Sequence, residues 1–163
     1  MDADKSVWRA MDVLGEILRR MGIDATIDVH EEERRTILEV KGPESALVIG
    51  KKGQTLEALQ FLVGKIVHHG SDAPSEEERP ATRPIIIDAE GYRARREEAL
   101  IELAVRLGEK ARTSGKTIEV DPMTPHERRI IHITLDKVPG VTTRSEGEGI
   151  FRRILIVPAP DKV

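Results

Sequence analysis

The chain has 163 residues, of which 39% are apolar and 34% charged, with a net charge of −3 and no cysteine. That length suits one large domain or two small ones, and high charge of mixed sign marks a globular chain, not a disordered one. The lack of cysteine excludes a disulfide framework and a thiolate metal site and points to a reducing cytoplasm, and no apolar run nears the roughly 20 residues of a membrane span.

Aromatics make up only 2%, so the cores must be aliphatic. The opening MDADKSVWRAMD lacks the basic-then-apolar layout of a signal peptide. Charge is unevenly spread. Residues 1–40 carry six basic and ten acidic groups, whereas residues 92–112 and 123–157 each carry six basic and four acidic. Local patches, not the total, set the field that a phosphate meets.

In chain order, Val7, Met11, Leu14, Ile17, Leu18 and Met21 recur at helical spacing, with Gly22 as the stop. Ala25, Ile27 and Val29 alternate with polar residues as a strand, EEERR (31–35) is a charged turn, and Thr36 to Val40 completes a hairpin. Gly42-Pro43 breaks the chain before a short apolar helix over 44–49. A strong helix runs from Gly53 to about His69, and His68 and His69 read as partners of its C-terminal dipole. The stretch 70–84, with three prolines and an acidic run, reads as a loop, and Ile85 to Ile87 as a buried strand. A long charged helix over 90–113 places Ala99, Leu100, Leu103, Ala104, Leu107 and Ala111 on one face. Thr117 to Val120 is a strand. Thr124-Pro125-His126-Glu127 is a capping box opening a helix to about Lys137. Val141 to Ser145 and Arg152 to Val157 are strands joined through Gly147 and Gly149.

Gly50-Lys51-Lys52-Gly53-Gln54 interrupts two apolar helices and carries the first candidate site. A P-loop needs G-x-x-x-x-G-K-[ST]. With Gly50-Lys51 as its end, Ser45 stands where the first glycine belongs and Lys52 where the hydroxyl belongs. Two helices separated by Gly-x-x-Gly form instead the nucleic-acid clamp of a KH domain, which holds about four nucleotides. Glycines remove bulk so that a sugar–phosphate backbone approaches the main chain, and the next helix offers its N–H groups and positive dipole. Lys51 and Lys52 add mobile positive charge; Val48, Ile49, Leu56 and the strand 36–40 would offer an apolar groove for bases. A tight helix–helix turn with solvated lysines is the plain alternative.

Arg128 and His132 stand four apart on one helical face and form the second candidate site. The Arg fork suits phosphate and stacks on bases, and His donates and stacks as well. Arg129, Arg144, Arg152 and Arg153 would extend the patch on charge alone, while Glu146 and Glu148 disfavour phosphate beside them. The five histidines are scattered, the carboxylates sit in solvated runs, and no G-x-S-x-G elbow is present, so neither a metal site, a cofactor nor catalysis is expected.

Around LVIGKKGQTLEALQFLV, the order α-β-β-α-α-β resembles a type II KH domain. MTPHERRIIHITL followed by VTTRSEGEGIFRRILIVP resembles the R-three-H domain, named for its Arg-x-x-x-His motif, in which the matching residues here are Arg128 and His132. The two in this order, over roughly residues 5–158, resemble the Jag (SpoIIIJ-associated, KhpB-like) bacterial RNA-binding proteins. The resemblance implies an α+β chain: a KH-like domain over 1–89, then a linking helix and a β-α-β-β R-three-H-like domain over 90–163. It implies a cytoplasmic single-stranded RNA-binding protein, a post-transcriptional regulator tied to cell elongation, division or envelope processes. It also implies a homodimer or pairing with a second small KH protein. Many relatives carry a further N-terminal domain, and a role that depends on it is not expected of these residues. Single-stranded DNA binding with a role in transcription, or a protein-interaction scaffold, are the alternatives.

Overall fold

The first helix, α1 (Asp2–Arg20), stops where glycine permits it. Gly22 sits at φ +74°. Its N–H donates to Arg19 O at 3.1 Å, and Ile23 N–H donates to Leu18 O at 3.0 Å, the paired bonds of a Schellman ending. This computed structural model describes residues 2–69 and 83–159. Nearly all of the loop expected over 70–84 lies outside the described residues, as do the side chains of His68 and His69.

β1 (Thr26–Glu31) and β2 (Thr36–Lys41) pair antiparallel from Thr26 opposite Lys41 to Glu31 opposite Thr36. α2 (Ser45–Ile49), a 3₁₀ turn over Lys51–Gly53 and α3 (Gln54–His69) then lead to β3 (Ile85–Ala89). β3 joins β2 in parallel, Leu38 opposite Ile87, so the sheet order is β1-β2-β3. Period-two alternation decides the face of β2: Thr36, Leu38 and Val40 point inward and are buried. Leu38 and Val40 meet Ala10, Leu14 and Leu18 of α1 and Leu56, Leu59, Val63 and Val67 of α3 in one aliphatic core. Gln60 on α3 secures β3: its amide nitrogen donates to Ile85 O at 2.8 Å, and its oxygen accepts from Ile87 N–H at 2.7 Å. Side-chain amides of this kind satisfy strand groups that no further strand pairs.

The chain divides into two compact units, residues 1–93 and 94–163. The second is built on α4 (Tyr92–Ser114), then β4 (Ile118–Glu119), α5 (Pro125–Asp136), β5 (Val141–Glu146) and β6 (Arg153–Pro158). β6 lies between the other two, antiparallel to both, in the order β4-β6-β5. Leu100, Ala104 and Ala111 of α4 are buried with Ile131 and Leu135 of α5 and Ile154 and Ile156 of β6. Two details depart from the periodicity. Ala99 is exposed, and Gly108 is buried in its stead. A Cβ on Gly108 would stand 2.6 Å from Leu135 Cδ2, so bareness is what lets α5 approach there. The strand expected over Thr117 to Val120 shrinks to Ile118–Glu119, although Val120 N–H still donates to Ile154 O at 3.0 Å.

The mixed architecture is α+β, as the element order implied, and among the described residues no helix is long and apolar enough to cross a membrane.

Candidate nucleic-acid interface

The turn after α2 is shaped by left-handed backbone. Gly50 has φ 69° and ψ −170°, Lys52 φ 52° and ψ 31°, and Gly53 φ 81°. Gly50 N–H donates to Ala46 O at 2.9 Å and ends α2; Gly53 N–H donates to Gly50 O at 3.4 Å and closes the 3₁₀ turn. Lys51, Lys52 and Gln54 are exposed. Lys52 holds a conformation that costs a residue with a Cβ about 1–2 kcal/mol, so its ammonium is carried on strained backbone.

The turn differs from expectation in two ways. The sequence reading gives the bare glycines to an approaching sugar–phosphate backbone. Here their bareness is used within the chain. A Cβ on Gly50 would fall 2.1 Å from Thr55 Oγ1, and one on Gly53 would fall 2.7 Å from Tyr92 Cε1. Gly53 is buried. The groove also changes. Val48 and Leu56 are 0% and 1% exposed and belong to the core, so they hold the turn from behind and offer no surface to a base. Ile49 is half-buried, while the neighbouring Leu47 is exposed.

Behind this turn stand residues that local sequence does not advertise. Arg93 Nη1 donates to Glu57 in the first turn of α3 at 2.5 Å, and Arg93 Nε donates to Ile87 O at 2.8 Å. The Arg93 guanidinium thus offsets the charge of Glu57. The only signal for Tyr92 and Arg93 is their place at the start of a helix some forty residues away, and pairings over that separation leave no periodic trace.

The second region grows from the start of α5. Thr124 Oγ1 accepts from Glu127 N–H at 3.2 Å, and Glu127 Oε2 accepts from Thr124 N–H at 2.9 Å, the two bonds of the capping box. Glu127 is almost fully buried and also accepts from Arg96 Nε at 2.8 Å. One carboxylate thus caps α5 and ties it to α4. The next residue, Arg128, donates from Nη1 to Met123 O at 2.8 Å, which fixes its guanidinium. One turn on, His132 Nδ1 and Thr143 Oγ1 of β5 are hydrogen-bonded at 2.5 Å, the donor being set by the tautomer.

Arg128, Arg129, His132, Thr143, Arg144 and Ser145 line one concave site of about 340 Å³. The shared helical face of Arg128 and His132, and the addition of Arg129 and Arg144, are therefore present in the fold. Arg144 also lies 3.6 Å from Glu146. Arg152 is exposed beyond the start of β6 and does not line that site, and Arg153 is paired with Glu119 at 2.6 Å. The donor set is arginine, imidazole and hydroxyl, which suits phosphate and ribose oxygens.

Residues 11–75 match the KhpA/KhpB KH domain family, and residues 98–158 match the R-three-H domain family. The chain is 35% identical over 150 residues to the RNA-binding protein KhpB of Clostridium symbiosum, covering 91% of this chain and 64% of that one. It is 34% identical over 132 residues to the RNA-binding protein KhpB of Bacillus subtilis, covering 80% and 60%. It is 31% identical over 156 residues to that of Lactiplantibacillus plantarum, covering 94% and 46%. The chain thus spans less than two thirds of the length of these curated relatives. It carries, in this order, a KH domain of the KhpA/KhpB type over residues 11–75 and an R-three-H domain over residues 98–158.

Proposed function

We propose that the chain binds single-stranded RNA through two modules, a KH-like one over residues 1–89 and an R-three-H-like one over 90–163. The observation that carries the reading is the convergence of Arg128, Arg129, His132 and Arg144 on one concave site. The exposed lysines of the Gly50–Gly53 turn support it as a second point of phosphate contact. That relatives over most of this chain are named RNA-binding protein KhpB favours RNA over DNA. No catalytic step is part of the proposal. The regulatory role is post-transcriptional and cytoplasmic, linked to cell elongation, division or the envelope.

Pairing with a second KH domain, in a homodimer or with a small KH protein, belongs to the same proposal. Phe61, Leu62 and Ile66 on α3 are exposed and apolar, and favour an interaction through that helix.

The test replaces Lys51 and Lys52 with Asp and, separately, Arg128 and His132 with Ala. Affinity for a short single-stranded RNA is then measured at two salt concentrations. Each pair weakens binding by about tenfold or more and lowers the salt slope, because each removed phosphate contact releases fewer counterions. Folded variants that bind as the wild type does at both salts would overturn the assignment. Competition with DNA of the same sequence separates the nucleic-acid alternatives through the 2′-hydroxyl.

A further inference from the structure

The chain has one Trp, one Tyr and two Phe. Only Phe151 falls in residues 94–163, and it is not in the core of that unit. Phe151 is 73% exposed and its neighbour Ile150 is 84% exposed. They form the tip of the β5–β6 hairpin, in a 3₁₀ turn over Gly149–Phe151. The tip is built to hold them out. Gly147 and Gly149 sit at φ 88° and 53°. Phe151 N–H donates to Glu148 O at 3.1 Å, and Arg152 N–H donates to Gly149 O at 3.3 Å. A Cβ on Gly147 would stand 3.1 Å from Phe151 O, so the chain doubles back closely there.

The hairpin that carries this tip also carries one wall of the basic site. Arg144, Ser145 and Ile154 line the site, and Ser145 pairs with Ile154 in the ladder. Glu146 opposite Arg153 is the last pair before the tip. At about 3.3 Å per residue, Phe151 lies about 10 Å along the hairpin from Ile154 and about 13 Å from the position opposite Arg144. A strand whose phosphates sit on Arg128 and Arg144 has its next bases within reach of a flat ring and an aliphatic side chain. Arg152, exposed between the ring and β6, adds positive charge at the same end.

From this juxtaposition we propose that Phe151, with Ile150 beside it, is a stacking platform for an unpaired nucleobase of the RNA held in the Arg128 site. The inference deepens the proposed function and rests on it. Stacking is indifferent to base identity, since every base offers a π-face. The tip therefore adds affinity for single strands without reading sequence, and a duplex, whose bases are already stacked, gains nothing from it.

The experiment compares a short single-stranded RNA with a ribose-phosphate oligomer of equal length that lacks its bases. Phe151→Ala weakens binding of the base-bearing strand by about tenfold, barely changes binding of the abasic strand and leaves the salt slope intact. Phe151→Trp restores affinity, and in a Trp8→Phe background its fluorescence is quenched on binding RNA. Arg128→Ala weakens both oligomers and lowers the slope. If Phe151→Ala weakens neither oligomer, or both equally, the stacking inference is overturned while the RNA-binding reading stands. If wild-type protein binds neither oligomer, the RNA-binding reading itself has failed, and the inference with it. If Phe151→Ala alters the oligomeric state and not RNA affinity, the tip is a protein contact and the inference falls.

Discussion

At Gly50–Gly53 the turn is made by backbone, and at Arg128–Arg144 the site is made by side chains. The first depends on three residues at positive φ and on glycines packed against Thr55 and Tyr92. The second depends on a capped helix start, one buried carboxylate, and guanidinium and imidazole groups held by a carbonyl and a hydroxyl. A backbone-built turn fixes where its charges are borne. A side-chain-built site fixes the charged groups themselves. The two regions should therefore fail differently: the first by losing stability when its glycines are filled, the second by losing affinity while the fold survives.

The largest expected effect tests the first half of that contrast. Gly50→Ala forces a Cβ into Thr55 in a region of backbone space open only to glycine. We expect a loss of about 2–4 kcal/mol in urea unfolding, part of which Thr55→Ala recovers by making room. If Gly50→Ala unfolds as the wild type does, the turn is not held by packing. Next is Glu127. Glu127→Ala removes the reciprocal cap and leaves Arg96, itself mostly buried, without that partner. A cost of about 2 kcal/mol is expected, and thermal melts of Glu127→Gln, which keeps a cap acceptor, should fall between.

A smaller change sharpens the comparison because stability and binding move in opposite directions. Lys52→Gly relieves a left-handed lysine and should stabilise the chain by up to about 1 kcal/mol. Filter-binding or polarisation assays should show weaker RNA binding from the lost charge. A variant that is both less stable and unchanged in binding would contradict a functional lysine at that position. At the smallest end is Asp28. The hydrogen bond from Lys41 across the hairpin holds its carboxyl below the usual carboxylate range. A depressed carboxyl contributes stability above its unfolded pKa and loses it as pH falls through the folded value. Both residues are exposed, so Asp28→Asn should lower the neutral-pH unfolding midpoint only slightly, and the difference should vanish in acid, where the wild-type carboxyl is itself protonated.

Much of the architecture was legible in the sequence because its signals are local. The helical stripe over 7–21 with Gly22, the alternation in 36–40 and the Thr124–Glu127 box each appear as read. The misreadings share a physical cause. Ala99 and Gly108 were exchanged because hydropathy ranks alanine above glycine, whereas the helix contact asks for the smaller group. Val48 and Leu56 read as a groove because an apolar residue beside a functional loop looks available to a ligand; only three-dimensional burial shows that it is not. Gly50 and Gly53 were given to the ligand because a motif states that space is needed and not what fills it. Ile150 and Phe151 carry no signal of their own beside the glycines of their turn, since nothing local distinguishes an apolar tip from an apolar strand end.

What the sequence by itself determined is the set of elements, their order, and the positions of Lys51, Lys52, Arg128 and His132 on particular turns and faces. Those features follow from dihedral preference, periodicity and capping, which act over a few residues. Only the tertiary structure decided that Tyr92 fills the space at Gly53, that Glu127 joins α5 to α4 through Arg96, and that Arg144 comes from another strand to stand with Arg128 and His132. It alone decided that Phe151 stands out at the end of the same hairpin. These arrangements depend on which surfaces bury one another across dozens of residues, and no local pattern encodes that choice.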